Sequence, residues 1–273
     1  MQIDPIGDIG ILNPCGELSM SKHGGICQLG HINLSRMVKK GIFDFSLFCE
    51  IIERGVLFLD TSLDKCNYPF EYLKKQALKY RRIGLGFAGL QECLVKLGIK
   101  YSSKEALDFC AIIGETLRNV SYSTSEKLGK ERGLVDSGKL GIPRRNTTIN
   151  TIAPTGTTAR ILGTTHGIEP IIARKTVSHI ADMKYVETWD NPLYETAEEI
   201  EPIQHLKIQA TLQKYIDNSI SKTIILPKDA KVEDVDFIYR KAYELGCKGV
   251  TIYRTGSRNA PIKCSSEDGS CNL

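Results

Sequence analysis

The 273-residue chain is 41% hydrophobic and 25% charged, with a formal net charge of +4. These values are ordinary for a globular protein of one or two domains, and the charge is too small and dispersed to predict nucleic-acid binding. No apolar run approaches the roughly 20 residues of a membrane span, and the first ten residues lack the features of a signal peptide. The nine cysteines, odd in number and widely spread, argue against a secreted disulfide framework and favour a cytoplasmic protein.

The first feature along the chain is the loop NPCGE at residues 13–17. Proline fixes one φ angle and glycine frees another, so a shaped loop is expected rather than a helix. Side chains alternate in an extended segment, so Asn13, Cys15 and Glu17 are predicted to point to one side. That would place an amide, a thiol and a carboxylate in one small volume. On spacing alone, a surface turn that merely contains a cysteine remains an equal alternative.

Three helices are predicted in the first half of the chain. Apolar residues at helical spacing mark residues 44–60, and a second helical stretch covers about 84–98. A third helix begins near Ser102 and runs to Gly133, because Ser102 and Glu105 have the spacing of a capping box.

The sequence GLGFAG at residues 84–89 matches the G-x-G-x-x-G pattern of dinucleotide sites. That fingerprint requires a hydrophobic strand immediately before it. Here the basic run at 74–82 precedes it, and this run is typical of a solvated helix face. The glycines are therefore predicted to permit close packing of a helix, and we reject a nicotinamide site.

A turn of small residues follows a β-branched strand within residues 146–163, ahead of an irregular segment at 165–200. The turn consists of Pro154, Thr155, Gly156, Thr157 and Thr158. Free backbone N–H groups and threonine hydroxyls at such a helix start suit a phosphate group. The turn is not a Walker A loop, because the lysine and the second glycine are absent. A capped helix start without a ligand is an equal alternative.

A strand–helix–strand unit follows a helix at about 203–217. Its strands are predicted at 222–227 and 249–254, with the helix at 231–246 between them. A unit of this length predicts two parallel strands in a mixed α/β domain.

The polar C-terminal segment carries two cysteines, Cys264 and Cys271, and is predicted to be mobile. Two cysteines on a mobile terminus could ligate zinc, but no partner pair lies at ligand spacing. A dithiol that carries reducing equivalents fits equally well, since thiol–disulfide exchange needs access and reach.

Seven motifs occur in the order seen in ribonucleotide reductases, and they most resemble the adenosylcobalamin-dependent class. They are NPCGE (13–17), CQLGHINL (27–34), RRIGLGFAGL (81–90), APTGTTA (153–159), HGIEPI (166–171), SKTIILP (221–227) and GVTIYRTGSR (249–258). The resemblance runs over nearly the whole chain. It implies that residues 1–258 are the C-terminal half of a ten-stranded α/β barrel with a catalytic finger loop, followed by a flexible tail at 259–273 with a redox dithiol.

The resemblance also implies a role for each residue of the finger loop. Cys15 matches the thiyl radical that removes the 3′ hydrogen of the ribose, and Glu17 matches the general base for the 3′-hydroxyl. Asn13 matches the amide that positions the substrate, so all three must lie within reach of adjacent sugar atoms. Cys27 matches one member of the reducing pair, whose oxidation supplies electrons as the 2′-hydroxyl leaves. The turn at 154–158 would hold the nucleotide phosphates.

The radical source implied by the resemblance depends on Tyr253. In the oxygen-dependent class two adjacent tyrosines pass the radical from an iron subunit, but here Tyr253 is followed by Arg254. The missing pair favours adenosylcobalamin, with no metal ligands expected from the protein. The implied activity is deoxyribonucleotide synthesis for DNA replication. The alternatives are a large-subunit fragment of an oxygen-dependent reductase, an inert nucleotide-binding remnant and a cysteine-based metal-binding protein.

Only twelve residues precede the finger-loop motif, so the family's N-terminal half has no counterpart here. That half holds the first barrel strands, the allosteric nucleotide site and the other reducing cysteine. A half barrel would expose sheet edges and an apolar interior. We therefore expect one piece of a split or truncated reductase, inactive without a partner chain that carries the N-terminal half. The other expected partners are a ribonucleotide and a thioredoxin-like reductant. Cys264 and Cys271 would reduce the oxidised cysteine pair again. Neither nucleic acid nor a membrane is expected as a partner.

Overall fold

A computed structural model describes residues 9–138, 141–180, 183–257 and 263–264. Its strands are β1 (Ile9–Leu12), β2 (Ser19–Ser21), β3 (Leu29–Asn33), β4 (Val38–Lys39), β5 (Ile42–Phe43), β6 (Gly84–Ala88), β7 (Lys175–Ile180), β8 (Met183–Thr188), β9 (Thr223–Leu226), β10 (Thr251–Arg254) and β11 (Lys263–Cys264). Its helices are α1 (Phe45–Lys65), α2 (Glu71–Tyr80), α3 (Leu90–Lys96), α4 (Lys104–Arg132), α5 (Gly156–Leu162), α6 (Pro202–Gln213) and α7 (Val232–Glu244). Across these ranges no helix has the length and apolarity that crossing a membrane requires.

A series of parallel pairings forms the framework of the molecule. β3 pairs with β6, and β9 pairs with β10. Between them, Leu85 of β6 bridges to Asn150, and Ile152 bridges to Ile220 of the segment that continues into β9. The β9–α7–β10 unit confirms the predicted strand–helix–strand arrangement. The described residues do not close into a barrel, and the half barrel stays a prediction.

Helices α1 and α4 pack against each other and, with α6, complete the main core. Asp44 caps α1 by accepting from the Leu47 N–H at 2.9 Å. Ser103, and not Ser102 as predicted, caps α4 by accepting from the Ala106 N–H at 3.2 Å. The Ser102 hydroxyl donates to Glu195 instead. The main core includes Phe48, Ile52, Val56, Leu59, Leu63, Phe87, Phe109, Ile113, Leu117 and Ile152.

The predicted helix at 84–98 is wrong in its first part, where the chain forms β6 before entering α3. A Cβ at Gly86 would lie 2.0 Å from the Thr151 carbonyl oxygen, and one at Gly84 would lie 2.4 Å from the Thr151 methyl carbon. The glycines therefore serve the close approach of the neighbouring segment, as proposed, but within a strand. They do not form the strand-to-helix turn of a dinucleotide site.

The basic run at 74–82 is only partly a solvated face. Lys74, Lys75 and Lys79 of α2 are exposed, as predicted. Arg81, just past the end of α2, is buried and contacts the carboxylates of both Asp60 and Asp64 at 2.8 Å. Its charge is used inside the protein, joining α2 to α1.

The segment at 165–200, predicted to be irregular, contains the antiparallel hairpin β7–β8. The two-residue strand β11 pairs with β7, with Cys264 opposite Thr176. The side chain of Cys264 and all of Cys271 lie outside the described residues, so the redox tail stays a prediction.

Candidate active site

The NPCGE motif forms the tip of the β1–β2 hairpin. The Gly16 N–H donates to the Asn13 carbonyl oxygen at 2.9 Å, which closes a β-turn with Pro14 in its second position. Proline suits that position because its φ is already fixed, and Gly16 adopts a positive φ of 75°. The loop is therefore a tight turn, and the alternation of an extended segment was the wrong reason for expecting Asn13 and Glu17 to meet.

Asn13 and Glu17 form a buried hydrogen-bonded pair. The Asn13 Nδ2 donates to Glu17 Oε1 at 2.8 Å, while its Oδ1 accepts from the Leu18 N–H at 3.0 Å. Glu17 is only 1% exposed, and its second oxygen, Oε2, has no hydrogen-bond partner in the described part of the chain. Burying an unpartnered carboxylate oxygen is costly. This oxygen is therefore placed to accept from a ligand.

Both cysteines predicted for the site lie close to this pair. The Asn13 Nδ2 lies 3.9 Å from the Cys27 Sγ. Although Cys27 is exposed as a residue, desolvation of its thiol raises the pKa to about 11, and the charge of Glu17 adds to the rise. Cys27 therefore carries a neutral thiol at physiological pH. Cys15 lies exposed at the tip, where a Cβ on Gly16 would meet no atom of the described residues within 4 Å, its two chain neighbours aside.

The base of the finger is fixed by residues that the sequence analysis missed. The Glu17 carbonyl oxygen accepts from the Ser219 N–H at 2.8 Å and from the Thr151 hydroxyl at 3.1 Å. The Thr151 hydroxyl also lies 3.0 Å from the Ser219 carbonyl oxygen. The only signal in the sequence is that both residues flank motifs, since these contacts join segments more than sixty residues apart.

The small-residue turn presents fewer free groups than its sequence suggests. The hydroxyl of Thr155 is buried and accepts from the Gly167 N–H at 2.7 Å, so it holds the HGIEPI loop. The other members of the turn, which are exposed, are Pro154, Gly156, Thr157 and Thr158. The exposed hydroxyls and the start of α5 remain the groups that a phosphate could contact.

A carboxylate from the β7–β8 hairpin reaches this part of the molecule. Glu187 lies 3.5 Å from the Arg160 guanidinium of α5 and 3.8 Å from the His166 ring. The interaction with His166 is the main cause that lowers the pKa of Glu187, while desolvation opposes it. No local sequence pattern predicts that Glu187 contacts Arg160 and His166.

Behind the HGIEPI loop lies a closed buried cluster around Lys222. Its ammonium donates to Glu169 Oε2, to the Thr223 carbonyl oxygen at 2.8 Å and to His205 Nδ1 at 3.0 Å. The His205 Nε2 donates to the Ala197 carbonyl oxygen at 2.9 Å, which leaves Nδ1 as the acceptor. Burial, followed by the charge of Lys222, lowers the pKa of His205 to about 3. His205 is therefore neutral, and every ammonium proton of Lys222 has a partner.

Three comparisons place the chain among known proteins. The sequence profile of the ribonucleotide reductase barrel domain matches residues 1–138 and 173–253. A vitamin B12-dependent ribonucleoside-diphosphate reductase of Thermoplasma acidophilum is 35% identical over 94% of this chain, and one of Mycobacterium tuberculosis is 34% identical over 95%. The chain covers 39% and 43% of these relatives. The Actinobacillus ureae class Id ribonucleotide reductase alpha subunit superposes with a TM-score of 0.75 and 25% identity, over 91% of this chain and 54% of that one.

Proposed function

Because this chain belongs to the ribonucleotide reductase barrel family, we propose that it carries the finger loop of an enzyme that reduces ribonucleotides to deoxyribonucleotides. The observation that carries the proposal is the buried Oε2 of Glu17, which has no hydrogen-bond partner among the described residues and lies beside Asn13, with the Cys27 thiol next to them. A buried carboxylate with one free oxygen is suited to take a proton from a bound hydroxyl. Its hydrogen bond to Asn13 fixes the direction from which that hydroxyl must approach.

Cys15, Glu17 and Cys27 then each have one role in the reaction. A thiyl radical on Cys15 takes the 3′ hydrogen atom of the ribose, and Glu17 takes the proton of the 3′-hydroxyl. Cys27, which carries a neutral thiol, supplies one hydrogen atom, and a cysteine on the N-terminal half would supply the second proton and electron. Together they replace the 2′-hydroxyl with hydrogen and release it as water, while the two sulfurs form a disulfide that Cys264 and Cys271 would reset. The Cys15 thiol then returns its hydrogen atom to C3′ and Glu17 returns the proton to the 3′ oxygen, which restores the thiyl radical.

Adenosylcobalamin is the proposed cofactor, and its homolysis would supply the radical. Cys15 is exposed at the tip of the finger, so a radical source could reach its thiol. Relatives named as vitamin B12-dependent are 34% and 35% identical, against 25% for the class Id subunit. Arg254, which stands where the oxygen-dependent class has its second tyrosine, is exposed and donates to the Lys228 carbonyl oxygen. These observations favour the cobalamin class over the oxygen-dependent alternative.

The remaining contacts are proposed on the same basis. The turn at 154–158 would bind the nucleotide phosphates through its exposed hydroxyls and backbone N–H groups. Because the chain spans about two fifths of its relatives, a partner supplying the N-terminal half would complete the pocket. A thioredoxin-like protein would regenerate the tail dithiol.

Reconstitution tests the proposal. This chain would be mixed with an N-terminal half from a relative, adenosylcobalamin, a dithiol and a labelled ribonucleoside diphosphate, and deoxyribonucleotide would be assayed. Product that requires the cobalamin, disappears with Cys15→Ala and persists with Cys66→Ala is expected, since Cys66 is also exposed but lies outside the site. Product that appears only when an iron-radical subunit replaces the cobalamin would support the oxygen-dependent alternative. No product from a folded assembly under either condition would support the inert remnant.

A further inference from the structure

Ser219 carries a buried hydroxyl close to the base of the finger. The residue is 9% exposed, and its Oγ makes no hydrogen bond within the described ranges. Most buried hydroxyls are hydrogen-bonded, because the desolvation of an unpaired hydroxyl is not compensated.

Gly249 packs closely against the Ser219 hydroxyl. A Cβ on Gly249 would lie 2.9 Å from the Ser219 Oγ and 4.0 Å from the Gly16 carbonyl oxygen. Gly249 is not among the glycines with a positive φ, so backbone conformation is not the reason for glycine here. Glycine is needed here because a side chain would clash with the Ser219 hydroxyl, and the Gly16 carbonyl oxygen of the finger lies on the same side of Gly249.

A backbone hydrogen bond holds Ser219 next to Glu17 of the finger. The Ser219 N–H donates directly to the Glu17 carbonyl oxygen. The Thr151 hydroxyl lies within hydrogen-bond distance of the carbonyl oxygens of both Glu17 and Ser219. Two buried groups without partners therefore belong to residues joined by one backbone hydrogen bond. The carboxylate can only accept, whereas the hydroxyl can also donate. A ribose presents neighbouring hydroxyls that each donate and accept, which matches this pair.

We propose that Ser219 is a substrate-contacting residue whose hydroxyl bonds a ribose hydroxyl beside Glu17. The inference rests on the proposed function, because it takes the ribonucleotide as the ligand. A ligand that satisfies both orphaned groups at once would be recognised by its sugar, independently of its base. If the contacted group is the 2′-hydroxyl, its loss during reduction would also weaken binding of the product.

The test measures dissociation constants for the assembly of this chain with its N-terminal half. Ser219→Ala is expected to weaken binding of a ribonucleoside diphosphate about three- to tenfold, the range of one neutral hydrogen bond. It should leave the unfolding midpoint unchanged, because it removes no bond within the protein. Ser125→Ala is the matched control: Ser125 is fully buried and its hydroxyl donates to Asn146 Oδ1 at 2.8 Å. That variant should lower the midpoint and leave the dissociation constant unchanged.

Analogues that lack the 2′- or the 3′-hydroxyl identify the contact. The dissociation constant of Ser219→Ala divided by that of the wild type should fall close to one for the analogue that lacks the hydroxyl bonded to Ser219. A ratio that stays the same for all three ligands, or that is already near one for the ribonucleotide, would overturn the proposal. If the wild-type assembly itself bound no ribonucleotide, the failure would be that of the proposed function, and the contact at Ser219 would fall with it.

Discussion

The finger site and the Lys222 cluster are both buried and polar, but they differ in how completely their hydrogen bonds are made. Around Lys222 each ammonium proton has an acceptor, and both Glu169 oxygens accept, Oε1 from the Thr223 N–H at 2.7 Å. Around Glu17 one carboxylate oxygen is bonded, and the other has no partner within the part of the chain that the structure describes. A closed network can only hold its parts together, whereas an open one has bonding capacity left for a ligand. The comparison separates residues that maintain the fold from residues available for chemistry.

The largest expected effect is on the open side of this comparison. Glu17→Gln should reduce deoxyribonucleotide formation by about a thousandfold, because the amide cannot take the proton from the substrate. The free energy of unfolding should change by no more than about 1 kcal/mol, since the amide oxygen can still accept from Asn13 Nδ2. Turnover by the reconstituted assembly and urea unfolding measure the two quantities. Glu115→Gln, on the exposed face of α4, is the control, and wild-type turnover by Glu17→Gln would exclude the proposed base.

On the closed side we expect a stability effect. Lys222→Met should lower the free energy of unfolding by about 3 kcal/mol, because it leaves the Glu169 carboxylate without its buried counter-charge. Denaturant unfolding measures the change. Lys75→Met removes an exposed lysine and should cost less than about 0.5 kcal/mol. If Lys222→Met lowered the free energy of unfolding as little as the control does, the Lys222 cluster would not stabilise the fold.

The smallest expected effect is the contribution of His205 to the pH dependence of the free energy of unfolding. Its pKa of about 3 in the folded protein lies below the ordinary 6.5, so the unfolded chain binds the proton more readily. The stabilising contribution is therefore complete above pH 6.5 and is lost as the pH falls toward 3, by about 1.4 kcal/mol per pH unit. Urea unfolding between pH 7 and 4.5 should show a steeper decline for wild type than for His205→Gln. Parallel declines would contradict a neutral His205.

Local sequence patterns predict the parts of this fold that local forces determine. The β9–α7–β10 unit and α1 follow from apolar periodicity, and Pro14 and Gly16 mark the finger turn. β6 is missed because its glycines have low strand propensity, and the strand depends on the close approach of Thr151. The β7–β8 hairpin has no turn signature in the segment read as irregular. In the site, Asn13 and Glu17 are near in sequence, whereas Ser219 meets Glu17 only through the tertiary fold.

The two hydrogen bonds to the Glu17 carbonyl have a mechanical consequence. They hold the root of the finger against Ser219 and Thr151, whereas Cys15 at the tip is exposed. The hairpin is therefore anchored at its Glu17 end. We expect the Glu17 backbone to hold a better defined position than the Cys15 thiol, which must reach both the radical source and the substrate.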